Sequence, residues 1–277
     1  MINNTIIVRS GGDLGTGIAH KLFRCGFKVL ILESQNPLAI RRTVSFSEAI
    51  FKGEIKVEDV KAIKVYNNED IWNAWDNNLI PIMVDEKCNV LKLLQVEVVV
   101  DAIMAKNNLG TNKNMAPITI AIGPGFEAGK DVDIVIETNR GHDLGRLILK
   151  GSAQVDTGIP GNIMGFDKER VIKASTEGII NNLYDIGEFV RKGENIAYIE
   201  NIPVKATLDG VLRGMIRQGT FVTCGLKIAD IDPRGNMDYC NTISDKARTI
   251  AGGVLEAILY CKVNQYVDKS INKVLNI

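Results

Sequence analysis

Short apolar runs alternate with amphipathic stretches through the first hundred residues. The runs at 5–9 and 28–33 are rich in β-branched residues and too short for a core helix, which predicts two strands. Between them, apolar residues at helical spacing predict a helix that ends at Gly26. A strand, a helix and a second buried strand predict a right-handed β-α-β unit in a parallel sheet.

The same alternation continues further along the chain. Additional strands are predicted at 60–65, 79–84, 96–100, 117–122 and 132–136. Helices are predicted at 45–51, 68–75 and 86–94. The expected fold class is therefore α/β, with a Rossmann-like parallel sheet domain at the N-terminus.

A glycine-dense turn separates the first strand from its helix. Aligned with the dinucleotide fingerprint G-x-G-x-x-G, it has Ser10 in place of the first glycine. Gly12 would let the backbone approach a phosphate, Gly15 would let helix and strand pack closely, and Glu33 ends the second strand, where an acid binds ribose hydroxyls. The candidate cofactor-binding residues are Gly11, Gly12, Asp13, Gly15 and Glu33. Two interpretations stay open: a nucleotide site, or a tight turn in which the carboxylate of Asp13 caps the helix.

The densest polar constellation follows the strand at 132–136. Glu137, Arg140, His142 and Arg146 lie within one short segment, just past a strand end, where α/β proteins bind ligands. Arginine forks suit oxyanionic groups, and a histidine can transfer a proton near neutral pH. We therefore predict catalytic roles for His142, Glu137 and Arg140, and cofactor binding for Arg146. The alternative is that Glu137 and Arg140 pair with each other and pin a turn.

Two further groups of candidates lie between 101 and 131. Lys106 follows the fifth strand and is a secondary catalytic candidate, with a solvated loop lysine as the alternative. Gly123 and Gly125 are candidates for cofactor binding in a loop that superficially resembles a P-loop. The spacing of a P-loop would need glycine at Pro124 and a hydroxyl residue at Asp131, so an ordinary P-loop NTPase is not expected.

The C-terminal half contains an internal repeat at an offset of 32 residues. Segments 171–178, 187–193 and 196–200 match 203–210, 219–225 and 228–232, and the second pair shares the pattern G-x-F-V-x-x-G. Two copies of short strands predict a small β barrel-sandwich with a pseudo-twofold repeat at 170–235, similar to biotinyl/lipoyl-type domains. Lys205, the lysine nearest to where such carriers are modified, has Lys173 as its repeat partner. We therefore expect no carrier lysine.

A helix follows the repeat, with Ser244 as its N-cap and one long apolar face that includes Leu259. Gly252 and Gly253 in its middle predict close packing on another element. The predicted domains are a Rossmann-like α/β domain at 1–110, a central α/β segment at 111–169, the biotinyl/lipoyl-like unit at 170–235, and the C-terminal helix at 236–277. The central segment contains residues 137–146, which we call the polar loop.

Composition and charge exclude several classes of function. The 33 basic residues balance 33 acidic ones, so a general electrostatic attraction to nucleic acid or acidic membranes is not expected. No apolar run reaches the length of a membrane helix, and residues 1–4 lack the features of a secretory signal. The five cysteines are scattered, which indicates reduced thiols in the cytoplasm and predicts no metal site.

Four segments together resemble the YqeB family, accessory proteins of selenium-dependent molybdenum hydroxylase systems. The segments are 9–19, 123–126, 137–146 and 243–248. The resemblance implies a cytoplasmic role in maturing or supplying the molybdenum-selenium cofactor, with a molybdenum hydroxylase or its maturation machinery as partner. Members of the family usually have glycine at the position of Ser10.

Three functions remain open from the sequence. The chain could be a maturation enzyme, a non-catalytic cofactor chaperone or docking protein, or an NAD(P)-dependent oxidoreductase. Its ligand is expected to be a small anionic molecule, either an NAD-like nucleotide or a molybdopterin-type cofactor. A homo-oligomer is compatible with all three.

Overall fold

The computed structural model of the chain describes residues 2–275 and, within them, the surroundings of side chains 5–264. Met1, Asn276 and Ile277 lie outside the described residues. They include the first residue of the segment considered for a secretory signal and the end of the helical segment predicted at 236–277.

The first eleven strands build a large sheet and a small ribbon. They are β1 (Ile2–Arg9), β2 (Phe27–Glu33), β3 (Glu54–Val57), β4 (Val60–Lys64), β5 (Ile80–Val84), β6 (Val98–Asp101), β7 (Ile118–Ile122), β8 (Glu127–Ala128), β9 (Ile134–Ile136), β10 (Leu147–Ile148) and β11 (Gly151–Ser152). Nine of them form one sheet in the order β10-β9-β7-β6-β1-β2-β5-β4-β3, and β8 pairs with β11. The parallel pairing of β1 with β2 confirms the predicted β-α-β unit.

The helices are α1 (Asp13–Arg24), α2 (Ala49–Lys52), α3 (Asn68–Asp76), α4 (Asp238–Asn241) and α5 (Asp245–Leu275). α1 connects β1 to β2, and α3 connects β4 to β5. The helix predicted at 86–94 is only a 3-10 helix, Asn89–Lys92, and the one at 45–51 is divided between a 3-10 turn and the short α2.

The expected Rossmann-like parallel domain is wrong, because the large sheet is mixed. β10 pairs antiparallel with β9 at one edge, and β3 pairs antiparallel with β4 at the other. The hairpin at that second edge was not predicted: its turn, Glu58 and Asp59, is polar and lacks glycine, although Glu58 adopts a φ of +52°. The sheet takes strands from both 1–110 and 111–169, and the domain division itself stays a prediction.

The repeat folds into two separate sheets. Its strands are β12 (Val171–Lys173), β13 (Gly178–Asn182), β14 (Phe189–Val190), β15 (Asn195–Ile199), β16 (Ile202–Lys205), β17 (Gly210–Met215), β18 (Phe221–Val222) and β19 (Lys227–Asp232). The sheet orders are β12-β19-β17-β14 and β16-β15-β13-β18. Both sheets are open, so the predicted closed biotinyl/lipoyl-like β barrel-sandwich is wrong. Each sheet takes two strands from each copy of the repeat, and their buried side chains share one core.

Helix α5 packs its apolar face on α1 and on the large sheet. The hydroxyl of Ser244 accepts a hydrogen bond from the Ala247 N–H at 3.1 Å, which confirms the predicted N-cap. A Cβ atom on Gly253 would overlap the carbonyl oxygen of Gly145, so the predicted close packing is also confirmed. Leu259, placed on the buried face by the sequence pattern, is instead half exposed.

Within residues 2–275, no helix combines the length and the apolar character needed to cross a membrane.

Candidate functional site

The glycine turn lies at the carboxyl ends of β1 and β2, as predicted. Ser10 adopts a φ of +83°, a left-handed conformation that favours glycine, the residue that the dinucleotide fingerprint has at this position. The Gly11 N–H donates to the carboxylate of Glu33 at 2.8 Å, and the Ser34 N–H donates to its other oxygen at 2.8 Å. The acid expected to bind a ribose therefore holds the turn itself.

Other parts of the chain also pack against the turn at Gly11. The carbonyl of Gly11 accepts hydrogen bonds from the Thr16 hydroxyl and from the Ser47 N–H, and a Cβ atom on Gly11 would lie 2.9 Å from that nitrogen. A Cβ atom on Gly15 would overlap the Ser10 carbonyl oxygen, in agreement with its predicted packing role. Gly12 stands at the N-cap position of α1.

Asp13 does not cap α1, which corrects that interpretation of the turn. The guanidinium of the buried Arg41 donates to both carboxylate oxygens of Asp13, at 3.0 and 2.9 Å. The other nitrogen of Arg41 donates to the carbonyls of Tyr239 and Thr242. Asp13 and Arg41 thereby tie the start of α1 to the segment that precedes α5.

Glu137 is buried and anchors the polar loop through backbone contacts. One of its carboxylate oxygens accepts from the N–H groups of Thr138 and Asn139, and the other accepts from the Gln154 N–H, each at 2.8 Å. Glu137 has no hydrogen bond to Arg140, so the alternative in which these two side chains pair and pin a turn is wrong. The carboxylate is held by three backbone donors and forms no ion pair among the described side chains.

Arg140 instead pairs with Asp245, the first residue of α5. Two guanidinium nitrogens donate to the two carboxylate oxygens at 2.7 and 2.8 Å. This bond raises the pKa of Arg140 and holds the pKa of Asp245 well below its usual range. A Cβ atom on Gly161 would overlap the Arg140 side chain, so a glycine is needed where the next loop crosses it.

The other two candidates in the polar loop are His142 and Arg146. His142 is exposed and has no hydrogen-bond partner among the described side chains. Arg146 is exposed and pairs with Asp143 at 3.2 Å beside a pocket of 320 Å³ that Glu137 and Lys150 also line. Arg140 and Arg146 therefore lie in different places: Arg140 binds the first residue of α5, and Arg146 lines the pocket.

Lys106 and the two loop glycines lie next to each other. The ammonium of Lys106 pairs with Asp156 at 2.6 Å, and a Cβ atom on Gly125 would lie 2.8 Å from the Lys106 carbonyl. A Cβ atom on Gly123 would lie 2.7 Å from the Thr138 hydroxyl. Both glycines thus permit close packing of the loops that carry the polar residues.

Four basic side chains from separate parts of the chain lie near enough to Arg140 or to one another for their charges to interact. Together with Arg140 we call them the basic cluster: Arg140, Arg213, Lys227, Arg234 and Lys246. They belong to the loop after β9, to β17, to β19, to the turn after β19 and to the first turn of α5. Loss of hydration lowers the pKa of Lys246 most, and the charges of Arg140 and Lys227 lower it further. The cluster thus includes residues from the polar loop, from the repeat and from α5.

The three arginines of the basic cluster have carboxylate partners. Arg140 binds Asp245, and Arg234 binds Asp232 at 2.6 Å. Arg213 lies 3.8 Å from Asp232, a buried carboxylate, and burial lowers the pKa of Arg213 itself. The positive charges of these three arginines are therefore balanced by carboxylates of the same chain.

The two lysines of the basic cluster have no such partner. Among the described side chains, Lys227 and Lys246 form neither an ion pair nor a hydrogen bond. Loss of hydration lowers the pKa of both, although Lys227 is exposed and Lys246 is half-buried. These two cations without a carboxylate partner are the candidate site, and they suit an anionic ligand.

Sequence reasoning missed most of the basic cluster. Lys246 lies in segment 243–248, which carried the family resemblance, yet it received no role. Lys227 occupies the position where the first repeat copy has Asn195, so a departure from the repeat could have drawn attention to it. Arg213 and Arg234 gave no signal beyond their type.

A second group of polar side chains lies on the other side of α1. His20 is buried, and its Nε2 atom lies 2.9 Å from an oxygen of Asp59 and 3.8 Å from one of Glu58. These three offer ligand atoms near one another. Arg24 and Arg248 already pair with the two carboxylates, so the group serves to fasten the β3–β4 turn to α1.

Comparisons with known proteins give one strong similarity. No family model matches the chain. Among solved structures it is similar to an aspartoacylase family protein from Mesorhizobium loti, with 13% identity, coverage of 83% of this chain and 85% of that one, and a TM-score of 0.27. It is also similar to the ectoine utilization protein EutE from Ruegeria pomeroyi, with 10% identity, coverage of 83% and 85%, and a TM-score of 0.24. At these TM-scores the likeness supports no conclusion.

The strong similarity is to the uncharacterized protein YqeB of Escherichia coli (strain K12). The two sequences are 48% identical over 254 residues, which cover 92% of this chain and 47% of that protein. The chain thus spans about half the length of its curated relative. Identity at this level over most of the chain supports its membership of the YqeB family.

Proposed function

We propose that the chain is an accessory protein that matures or supplies the molybdenum-selenium cofactor of selenium-dependent molybdenum hydroxylases in the cytoplasm. In this role it binds an anionic part of the cofactor at the basic cluster and transfers the cofactor to a hydroxylase or to its maturation machinery. The observation that carries the proposal is that neither Lys227 nor Lys246 forms an ion pair among the described side chains. The role that the resemblance of four segments to the YqeB family implies is the second support.

A molybdopterin-type cofactor fits the donors present at this site. Two ammonium groups without carboxylate partners attract phosphate or other oxyanionic groups. The glycine turn offers much less to an NAD-like nucleotide, because Glu33 and Ser47 already occupy the backbone groups of Gly11. An NAD(P)-dependent oxidoreductase is therefore the less supported alternative.

The first prediction concerns hydroxylase maturation. A deletion strain complemented with Lys246→Gln should show at least roughly tenfold lower selenium-dependent hydroxylase activity, because one charge-assisted contact to the ligand is lost. Lys205→Gln, which removes an exposed lysine from β16, is the matched control and should restore full activity. Full activity with Lys246→Gln at normal protein level would contradict the proposal.

A substitution of His142 distinguishes an enzyme from a non-catalytic chaperone. If the exposed imidazole transfers a proton to a bound cofactor, His142→Asn should retain the protein's affinity for the cofactor and abolish maturation. If the chain only holds and delivers the cofactor, the same variant should mature the hydroxylase normally. Cofactor content of the purified hydroxylase, measured beside its activity, distinguishes the two results.

A further inference from the structure

The buried histidine of α1 has one ring nitrogen directed at two carboxylates of the β3–β4 turn. The Nε2 atom of His20 lies 2.9 Å from Oδ1 of Asp59 and 3.8 Å from Oε2 of Glu58. The ligand atoms that the three residues offer all lie within 4.8 Å of one another. The side chain of His20 is only 4% exposed, whereas that of Asp59 is 61% exposed. The group therefore has a buried nitrogen on one side and is open to water on the other.

Glu58 uses its two carboxylate oxygens differently. Oε1 accepts a hydrogen bond from the Ile243 N–H at 2.9 Å and pairs with Arg248, and these contacts hold the carboxylate in place. Oε2 is the oxygen near His20. In metal sites, ligating carboxylates are themselves hydrogen-bonded by such partners. The contacts that fasten the turn thus leave one oxygen of Glu58 for a ligand.

Asp59 divides its oxygens in the same way. Oδ2 lies 3.6 Å from Arg24, and Oδ1 faces His20. Ligand atoms around a tetrahedral zinc ion at its usual bond lengths are about 3.3 Å apart. The two measured distances to Nε2 of His20 lie on either side of that value, so small side-chain rotations would place the three atoms around one ion. Asp59 has room for such a rotation because its side chain is exposed.

We propose that His20, Glu58 and Asp59 bind one divalent transition-metal ion, with zinc as the best match. One imidazole nitrogen and two carboxylate oxygens are ligands that zinc accepts, and three protein ligands leave its fourth position to water. Magnesium fits poorly, because it prefers octahedral coordination by oxygen. The proposal does not depend on any role of the chain in cofactor maturation.

A metal ion here would cross-link three parts of the chain. His20 belongs to α1, the two carboxylates belong to the turn between β3 and β4, and Glu58 also binds the backbone just before α5. His20 and Asp59 are 39 positions apart in sequence, so an unfolded chain does not present them together. Zinc should therefore bind the folded chain preferentially and raise its melting temperature.

Titration calorimetry of the full chain, free of any affinity tag and treated with a chelator beforehand, is the test. We expect one zinc ion per chain and weaker binding of manganese, in the order of metal affinities that nitrogen and oxygen ligands usually show. We expect no binding of magnesium. Thermal unfolding with and without zinc, followed by circular dichroism, measures the stabilisation.

Two variants locate the ion. Asp59→Asn keeps the size of the side chain and removes its charge, so the Kd for zinc should rise at least about tenfold, as even the loss of an outer partner of a metal ligand does. His20→Gln keeps a nitrogen that can donate to Asp59 but removes the imidazole ligand, and the same rise is expected. Asp76→Asn is the matched control, because Asp76 is an exposed carboxylate at the end of α3, and it should leave the Kd unchanged.

Several results would overturn the proposal: no zinc binding, more than one equivalent site per chain, or magnesium binding as tight as that of zinc. Zinc affinity that is unchanged in Asp59→Asn, or equally weakened in Asp76→Asn, would also overturn it. Because His20 is buried, His20→Gln could fail to fold. Asp59→Asn then decides the outcome, since the exposed position of Asp59 tolerates the change.

Discussion

Glu137→Ala should lower the free energy of unfolding by about 3 kcal/mol or more, which would make it one of the most damaging single changes in the polar loop. The buried carboxylate accepts hydrogen bonds from three backbone N–H groups, and its removal leaves the buried donor of Thr138 and the partly buried donors of Asn139 and Gln154 without a partner in the protein. Each buried group left unsatisfied costs roughly 1–3 kcal/mol. Urea unfolding of both proteins, monitored by far-UV circular dichroism, measures the difference.

Glu127→Ala is the matched control, because Glu127 is exposed and its carboxylate pairs with Lys130 on the surface. That change should alter stability by no more than about 0.5 kcal/mol. The comparison also tests the catalytic role predicted for Glu137 from sequence. If Glu137→Ala unfolds at the same urea concentration as the unmodified chain but fails to mature the hydroxylase, Glu137 is catalytic and does not anchor the polar loop.

The sequence located the polar loop but not the partners of its side chains. Strand ends are visible from local patterns, so Glu137 and Arg140 could be placed at the edge of the sheet. The partner of Arg140 is Asp245, which is far away in the chain, and no local pattern links the two. Glu137 was expected to bind Arg140 because they are close in sequence, yet its burial directs it to the backbone.

The glycine turn shows the same limit in another way. Its spacing predicted a strand, a turn and a helix correctly, because those depend on local conformation. The surroundings of the turn depend on Arg41 and Ser47, which follow β2 and lie outside the fingerprint. A fingerprint therefore predicted the backbone of the turn and not its ligand.

The repeat predicted the strands better than it predicted their arrangement. Short β-branched runs at equal spacing require strands, and the structure has them. Closure into a barrel depends on hydrogen bonding between the edge strands of the two sheets, which a repeat in sequence does not encode. The same symmetry drew attention to Lys205, which follows the repeat, and away from Lys227, which departs from it.

Gly253→Ala should destabilise the protein by about 3 kcal/mol, because the loop that carries Arg140 crosses α5 at this point with no room for a side chain. A Cβ atom there would overlap the Gly145 carbonyl oxygen and lie 3.0 Å from Ile136. Gly145 has a φ of +83°, so its backbone cannot relax without affecting the turn. Overpacking of this kind costs about 1–3 kcal/mol, and the rigid backbone places this case at the upper end. Thermal and urea unfolding measure the change.

Gly252→Ala, one residue earlier in the same helix, is the control. It should stabilise the protein instead of destabilising it. Its Cβ atom would meet only the flexible end of Lys21, at 3.5 Å, while alanine favours the helix interior over glycine by about 1 kcal/mol. Equal stabilisation by both alanines would mean that the polar loop does not lie against α5. The contact between Gly145 and Gly253 would then be absent.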